Sequence, residues 1–188
     1  DFQSYSQTVE RYGKEKFLDG MQVQDWGVTY DDIEPFYDKF ERYAGTSGKA
    51  GNIKGQKIEG GNVFEGPRSR DYPLPPLKRT ELSMIFDKAT REMGYHPFAV
   101  PAGNTSGAYT NPLGVNMAPC TYCGYCEFFG CGNWSKSSPN ACILPAVMQR
   151  PNFTVITESE VLRVNKAADG KTATGVTFIG SDGVVCEQ

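Results

Sequence analysis

Apolar residues recur along the chain with two different periods, and the change between them falls late. Ile33, Phe36, Tyr37, Phe40 and Tyr43 stand three and four apart, the spacing that gathers side chains on one helical face. Thr29, Asp31 and Asp32 mark a start and Gly45 a stop, so the pattern predicts a helix over 30–43 whose aromatic face must be buried. Pro35 sits early enough in it to be tolerated. Leu82, Ile85, Phe86, Ala89 and Met93 predict a second amphipathic helix over 80–93, capped by Thr80 and ended by Gly94. A further helical candidate runs from Tyr5 to Leu18, and Ser138-Pro139 opens another toward Met148 that Pro145 must kink or delay. From there the period becomes two. Phe153–Ile156, Glu160–Val164, Thr174–Ile179 and Val184–Cys186 read as strands with turns at 168–170 and 181–183, an antiparallel meander.

Between these elements the chain is irregular. Gly45 to Pro76 and Ala102 to Pro119 are rich in Gly, Pro and Asn without sustained periodicity, and a connection of the first length is either a functional loop or a cover for another surface. The 21 Gly and 12 Pro among 188 residues agree with a loop-rich protein, while apolar residues counted with Gly in place of Tyr make up about 45%, the ordinary globular share, which excludes wholesale disorder. That length fits one ordinary domain with one modest core. Nineteen basic against 22 acidic residues, with no like-charged block, give no electrostatic footprint for nucleic acid. Apolar runs of only a few residues leave no membrane span, and the start at Asp1-Phe2-Gln3 has neither an initiator Met nor a leader pattern, so a targeting peptide is expected to be either absent or outside these residues. The meander stops at Gln188 without a closing element, which leads us to expect a domain that continues.

The chemistry concentrates in the cysteines. Four of six follow Cys120-x2-Cys123-x2-Cys126-x4-Cys131. Thiolates two residues apart converge when a tight turn, here helped by Gly124, points them inward. The nearest template is the ferredoxin run Cys-x2-Cys-x2-Cys-x3-Cys-Pro, from which this departs by one spacer and by Gly132. The alternatives are a four-cysteine zinc site that only staples an interaction module, or disulfides. Four thiols crowded into 12 residues, with Tyr122, Tyr125, Phe128 and Phe129 as shielding aromatics, favour an iron-sulfur cluster. Cys142 and Cys186 read as buried small hydrophobes, and His96 lacks the partners that would make it a base. The run from Gly130 to Ser135 imitates part of a dinucleotide fingerprint but follows no strand, and no phosphate loop is present.

Several stretches together resemble the glucose-methanol-choline (GMC) oxidoreductase family. They are Gln24-Asp25-Trp26-Gly27 through Phe36-Tyr37, Gly45-Thr46-Ser47-Gly48, Tyr72-Pro73-Leu74-Pro75-Pro76, the cysteine run and Ser135-Lys136. The cysteine insertion resembles that of the large, FAD-dependent subunits of gluconate dehydrogenase and related sugar and polyol dehydrogenases. The resemblance implies an α+β fold: an antiparallel meander with a few helices and long loops, an internal piece of the flavoprotein. Residues 1–119 would belong to the substrate domain, 120–150 to the cluster loop and following helix, and 151–188 to a truncated part of the FAD domain. It also implies FAD, contacted at its adenine end through Val161, and a three-iron cluster with ligands drawn from Cys120, Cys123, Cys126 and Cys131. The implied partners are a sugar acid or polyol substrate, a multihaem cytochrome c subunit and a small subunit, at the periplasmic face of the inner membrane and attached to it only through a partner. Neither the family's FAD fingerprint nor its catalytic His pair falls within these residues. No catalytic residue is therefore expected here, and this span alone is expected to be inactive.

Overall fold

The computed structural model describes residues 2–188. The chain divides into two compact units, one running through Ala146 and the other Val147–Gln188, so the expectation of one core is replaced by two separate units. The first opens with helix α1, Ser4–Tyr12, and a short 3-10 turn, Lys14–Lys16, where the sequence pattern ran a single helix to Leu18. Gly13 at φ +84° breaks it. Asp25 accepts from the backbone N–H groups of Tyr5 and Ser6 at the start of α1, at 2.9 and 3.1 Å.

Helix α2, Tyr30–Ala44, forms as its sequence dictates. The Thr29 hydroxyl accepts from the Asp32 N–H and the Asp32 carboxylate accepts from the Thr29 N–H, a reciprocal box that satisfies two donors of the first turn. Gly45 closes the helix at φ +61°, and a Cβ there would stand 2.7 Å from the Tyr109 ring, so both backbone and space require glycine. The expected burial of the aromatic face is overturned: Phe36 is 68% and Phe40 52% exposed. The helix instead turns its acids onto the long loop that follows it. Glu41 pairs with Arg68, Asp38 with Arg70 at 2.7 Å, and Glu34 accepts from the Ser69 N–H. Charge pairing from the loop, not aromatic packing, decides which side of α2 is covered.

The loop carries a two-residue hairpin, β1 Asn52–Ile53 and β2 Gln56–Lys57. Helix α3, Glu81–Glu92, has the expected Thr80 cap on the Ser83 N–H, yet Leu82, Ile85 and Phe86 are exposed. A second hairpin, β3 Tyr109–Thr110 and β4 Asn116–Met117, lies in a stretch without sequence periodicity. Asn111 builds it: its side-chain oxygen accepts from the Leu113 and Val115 N–H groups, and its nitrogen donates to the carbonyls of Tyr43 and Cys142. The helix after Ser138 is split, as Pro145 requires, into α4 Pro139–Cys142 and α5 Leu144–Val147.

The second unit is the meander, an antiparallel sheet of order β5-β6-β7 with β5 Glu160–Lys166, β6 Ala173–Ile179 and β7 Val185–Glu187. One face carries a polar cluster in which Thr177 donates to Asn165 and Glu187 while Arg163 donates to all three. Phe153–Ile156, expected as a strand, joins no ladder among the described residues; it makes the turn bond from the Phe153 N–H to the Arg150 carbonyl. β-prone residues without a neighbouring strand gain no hydrogen bonds from extension. Cys186 is exposed on β7 and not buried, whereas Cys142 is buried, its thiol donating to the Ser138 carbonyl at 3.2 Å. Among the described residues no helix is long and apolar enough to cross a membrane. The architecture is α+β, with few helices, small antiparallel sheets and long loops.

Candidate metal centre

The cysteine loop stands on a frame of buried polar residues. Ser47, Thr105 and Ser135 are each at most 1% exposed. Ser47 exchanges backbone bonds with Ala102 at 3.0 and 2.9 Å, Thr105 donates its N–H to the Ser135 carbonyl at 3.0 Å, and Cys120 donates its own to the Thr105 carbonyl at 2.8 Å. The Ser47 hydroxyl donates to the Asn104 carbonyl, and that of Thr105 to the Ala118 carbonyl, both at 2.6 Å. Every one of these buried polar atoms is paired, as burial requires. Both ends of the cysteine loop are thereby fixed to one support.

Within the loop the chain turns twice through left-handed backbone, at Tyr122 (φ +58°) and Gly124 (φ +82°). The Tyr122 conformation is costly for a bulky residue. It is held by its hydroxyl, which accepts from the Lys78 N–H at 3.0 Å, and by the Lys78 ammonium over its ring. Asn133 clasps the loop's two ends, accepting from the Cys131 thiol at 2.7 Å and donating to the Pro119 carbonyl at 3.1 Å and the Thr121 hydroxyl at 3.4 Å. Burial lifts the Cys131 thiol, but the Ser135 hydroxyl and the N–H groups of Lys136, Ser135 and Asn133 outweigh it and bring it down to about 7.

Three of the four predicted ligands, Cys123, Cys126 and Cys131, line one hollow of about 490 Å³ with Tyr125 and Phe129. Cys120 is not part of that lining; its sulfur accepts from the Tyr122 N–H at 3.4 Å. Of the expected aromatic shield, Tyr125 and Phe129 pack edge to face at 5.7 Å, yet they are 65% and 60% exposed and Phe128 is 86% exposed, so the aromatics do not enclose the hollow. The strongest metal ligands on the lining are its thiols, a soft set that suits zinc, copper(I) or an iron-sulfur cluster. A zinc ion needs its ligands around a single centre, and among the described residues no three Cys, His, Asp or Glu side chains are close enough to share one ion. A cluster distributes its thiolates over several irons, so three thiols on one lining keep it as a candidate beside zinc.

Val161, the residue expected at the adenine end of FAD, lies on β5 and lines a hollow of about 300 Å³ in the second unit with Ile156, Val176, Phe178, Ser159 and Gln188. His96 lines a different hollow with Arg79, Phe86 and Phe98, without any cysteine. Asn104, Asn133 and Lys136 were not legible as site residues, because what marks them is a spatial partner and not a spacing.

The sequence pattern of the GMC oxidoreductases matches residues 20–187. The chain is 48% identical over 176 residues, 92% of its length, to the gluconate 2-dehydrogenase flavoprotein of Pantoea cypripedii, of which it covers 29%. It is 26% identical over 78% of its length to the paromamine 6'-oxidase of Streptomyces fradiae, covering 23% of it. It is 27% identical over 82% of its length to the 6'''-hydroxyparomomycin C oxidase of Streptomyces lividus, covering 25% of it. The chain thus spans less than a third of the length of these curated relatives.

Proposed function

The chain belongs to the GMC oxidoreductase family, and we propose that it is part of an FAD-dependent dehydrogenase that oxidises an alcohol carbon of gluconate or a related sugar acid or polyol. In this reading Cys123, Cys126 and Cys131, with Cys120 available as a fourth thiolate, hold an iron-sulfur cluster. The partners are a cytochrome c subunit and a small subunit, in the periplasm and joined to the inner membrane through a partner. The observation that carries the reading is the convergence of three thiols on one hollow in a chain 48% identical to a gluconate 2-dehydrogenase flavoprotein.

When bound, such a cluster would supply one-electron transfer, the step size a haem acceptor takes. The chain's own residues prepare the place. The Ser47-Thr105-Ser135 frame fixes the loop ends, and Asn133 holds the Pro119 carbonyl and the Thr121 hydroxyl, while its bond from the Cys131 thiol belongs to the protonated form and is given up when the thiolate binds metal. Donors around Cys131 stabilise its thiolate, the form that binds metal. Val161 and its neighbours offer an apolar wall to the adenine ring of FAD.

Iron and zinc analysis with an absorption spectrum of anaerobically purified protein tests the reading. Iron with acid-labile sulfide and broad visible absorption is the expected result. Stoichiometric zinc in a colourless protein would instead favour a stapled interaction module.

A further inference from the structure

Cys126 is the ligand candidate on which the fixed frame reaches out. Asn104 and Lys136 face one another across an isolated antiparallel bridge. Both backbones are held: the Asn104 carbonyl accepts from the Ser47 hydroxyl, and of the residues flanking the bridge the Thr105 N–H donates to the Ser135 carbonyl at 3.0 Å and the Ser137 N–H to the Gly103 carbonyl at 2.7 Å. From this bridge two side chains converge on one residue. The Asn104 amide nitrogen donates to Cys126 Sγ at 3.8 Å, and the Lys136 ammonium donates to the Cys126 carbonyl. Cys126 is exposed in a loop with no buried residue from 121 to 130, so these two donors are its link to the rigid part of the unit.

We propose that Asn104 and Lys136 form a clamp on Cys126 that sets the reduction potential of the group its thiolate holds. The inference rests on the cluster reading above. Uptake of one electron by such a group would add one negative charge beside Cys126. A hydrogen bond to the sulfur and a cation one residue's width away both stabilise that added charge, and hydrogen bonds to ligand sulfurs are a recognised control of cluster potential. Lys136 contributes the larger share because it carries a full charge. Asn104 contributes through a long, neutral bond. Both are positioning residues: they act through Cys126.

The test is a mediated dithionite titration of the iron-loaded holoprotein, followed by electron paramagnetic resonance. Lys136→Gln is expected to lower the equilibrium constant for uptake of one electron about tenfold, a midpoint about 59 mV more negative. Lys136→Arg is expected to restore the midpoint, and Asn104→Leu to move it in the same direction as Lys136→Gln by less. An iron-loaded Lys136→Gln protein with an unmoved midpoint overturns the clamp while leaving the cluster reading intact. If Lys136→Gln binds no iron, Asn104→Leu decides by the same criterion. A wild-type protein without iron overturns the cluster reading and the clamp together.

Discussion

Ser47, Thr105 and Ser135 are shut away from solvent and bonded into the surrounding backbone, Thr105 to Ser135 and Ser47 to Ala102, Asn104 and Ser106, whereas every residue from Thr121 to Gly130 is exposed. The two regions are joined at Cys120 and Cys131 and are built on opposite terms. The frame has its polar atoms paired inside the protein, so disturbing one leaves a buried group unsatisfied. The loop has little to lose by moving and is steered from its roots, by Asn133, and by the side chains of Asn104 and Lys136. The difference teaches where stability and chemistry reside: a rigid support carrying a segment that adapts to what its thiols bind.

The sharpest way to break this division is at the thiols. Replacing Cys123 and Cys126 together with Ser is expected to abolish electron delivery to a one-electron acceptor in the FAD-loaded enzyme. Reduction of the flavin by substrate, followed by stopped-flow absorbance, is expected to survive. Loss of flavin reduction with FAD content and folding intact would show that the loop and the substrate chemistry are not separable.

On the frame side the effects fall on stability. Arg68 is 6% exposed, pairs with Glu41 and Glu65, and stacks 3.9 Å over the Tyr72 ring. Burial pulls its pKa down, but the hydrogen bond and charge of Glu41 outweigh this and hold it above its ordinary value. Arg68→Ala is expected to cost about 3 kcal/mol in urea unfolding, because it strands two carboxylates that are largely enclosed. Thr105→Val is expected to cost about 1–3 kcal/mol by depriving the Ala118 carbonyl of its hydroxyl donor. Thr121→Val, on the exposed loop, is expected to stay within about 0.5 kcal/mol. Equal costs for the two threonine variants would erase the contrast between frame and loop.

A smaller effect separates Cys142 from Cys186. Iodoacetamide at neutral pH is expected to modify Cys186 while Cys142, buried and with its thiol pushed up by burial, stays protected until unfolding. The smallest concerns Asp169, held down to about 2 by hydrogen bonds from the Thr172 hydroxyl and the Thr172 and Lys171 N–H groups. A folded pKa below the ordinary 3.8 contributes stability above that value, and the contribution is lost as pH falls through about 2. Amide exchange at Thr172 is expected to quicken over that interval without general unfolding of the sheet.

The helices were legible because their signals are local: a cap at Thr29 or Thr80, a period of three and four, a glycine at the end. Which side of a helix is covered was not, since the aromatic stripe of α2 states a preference for burial while Arg68 and Arg70, distant in sequence, take the acidic side. Phe153–Ile156 shows the same gap for a strand, which needs a neighbour that composition does not supply. The β3-β4 hairpin was missed because two-residue strands carry no period; its determinant is the single side chain of Asn111. For the site, spacing named the four cysteines. Their separation into three around a hollow and one beside it depends on the turns at Tyr122 and Gly124, and the reach of Asn104 and Lys136 exists only once the bridge between them has formed.

Asn111 also bears on how the molecule ages. Its amide nitrogen donates to two carbonyls, from the ends of α2 and α4, and conversion to aspartate would set a negative oxygen against both. That conversion normally proceeds through attack of the following backbone nitrogen on the side-chain carbonyl. The following residue is Pro112, whose nitrogen has no hydrogen to give up. The asparagine on which the hairpin depends is therefore shielded, by its neighbour in the chain, from the commonest spontaneous lesion of its kind.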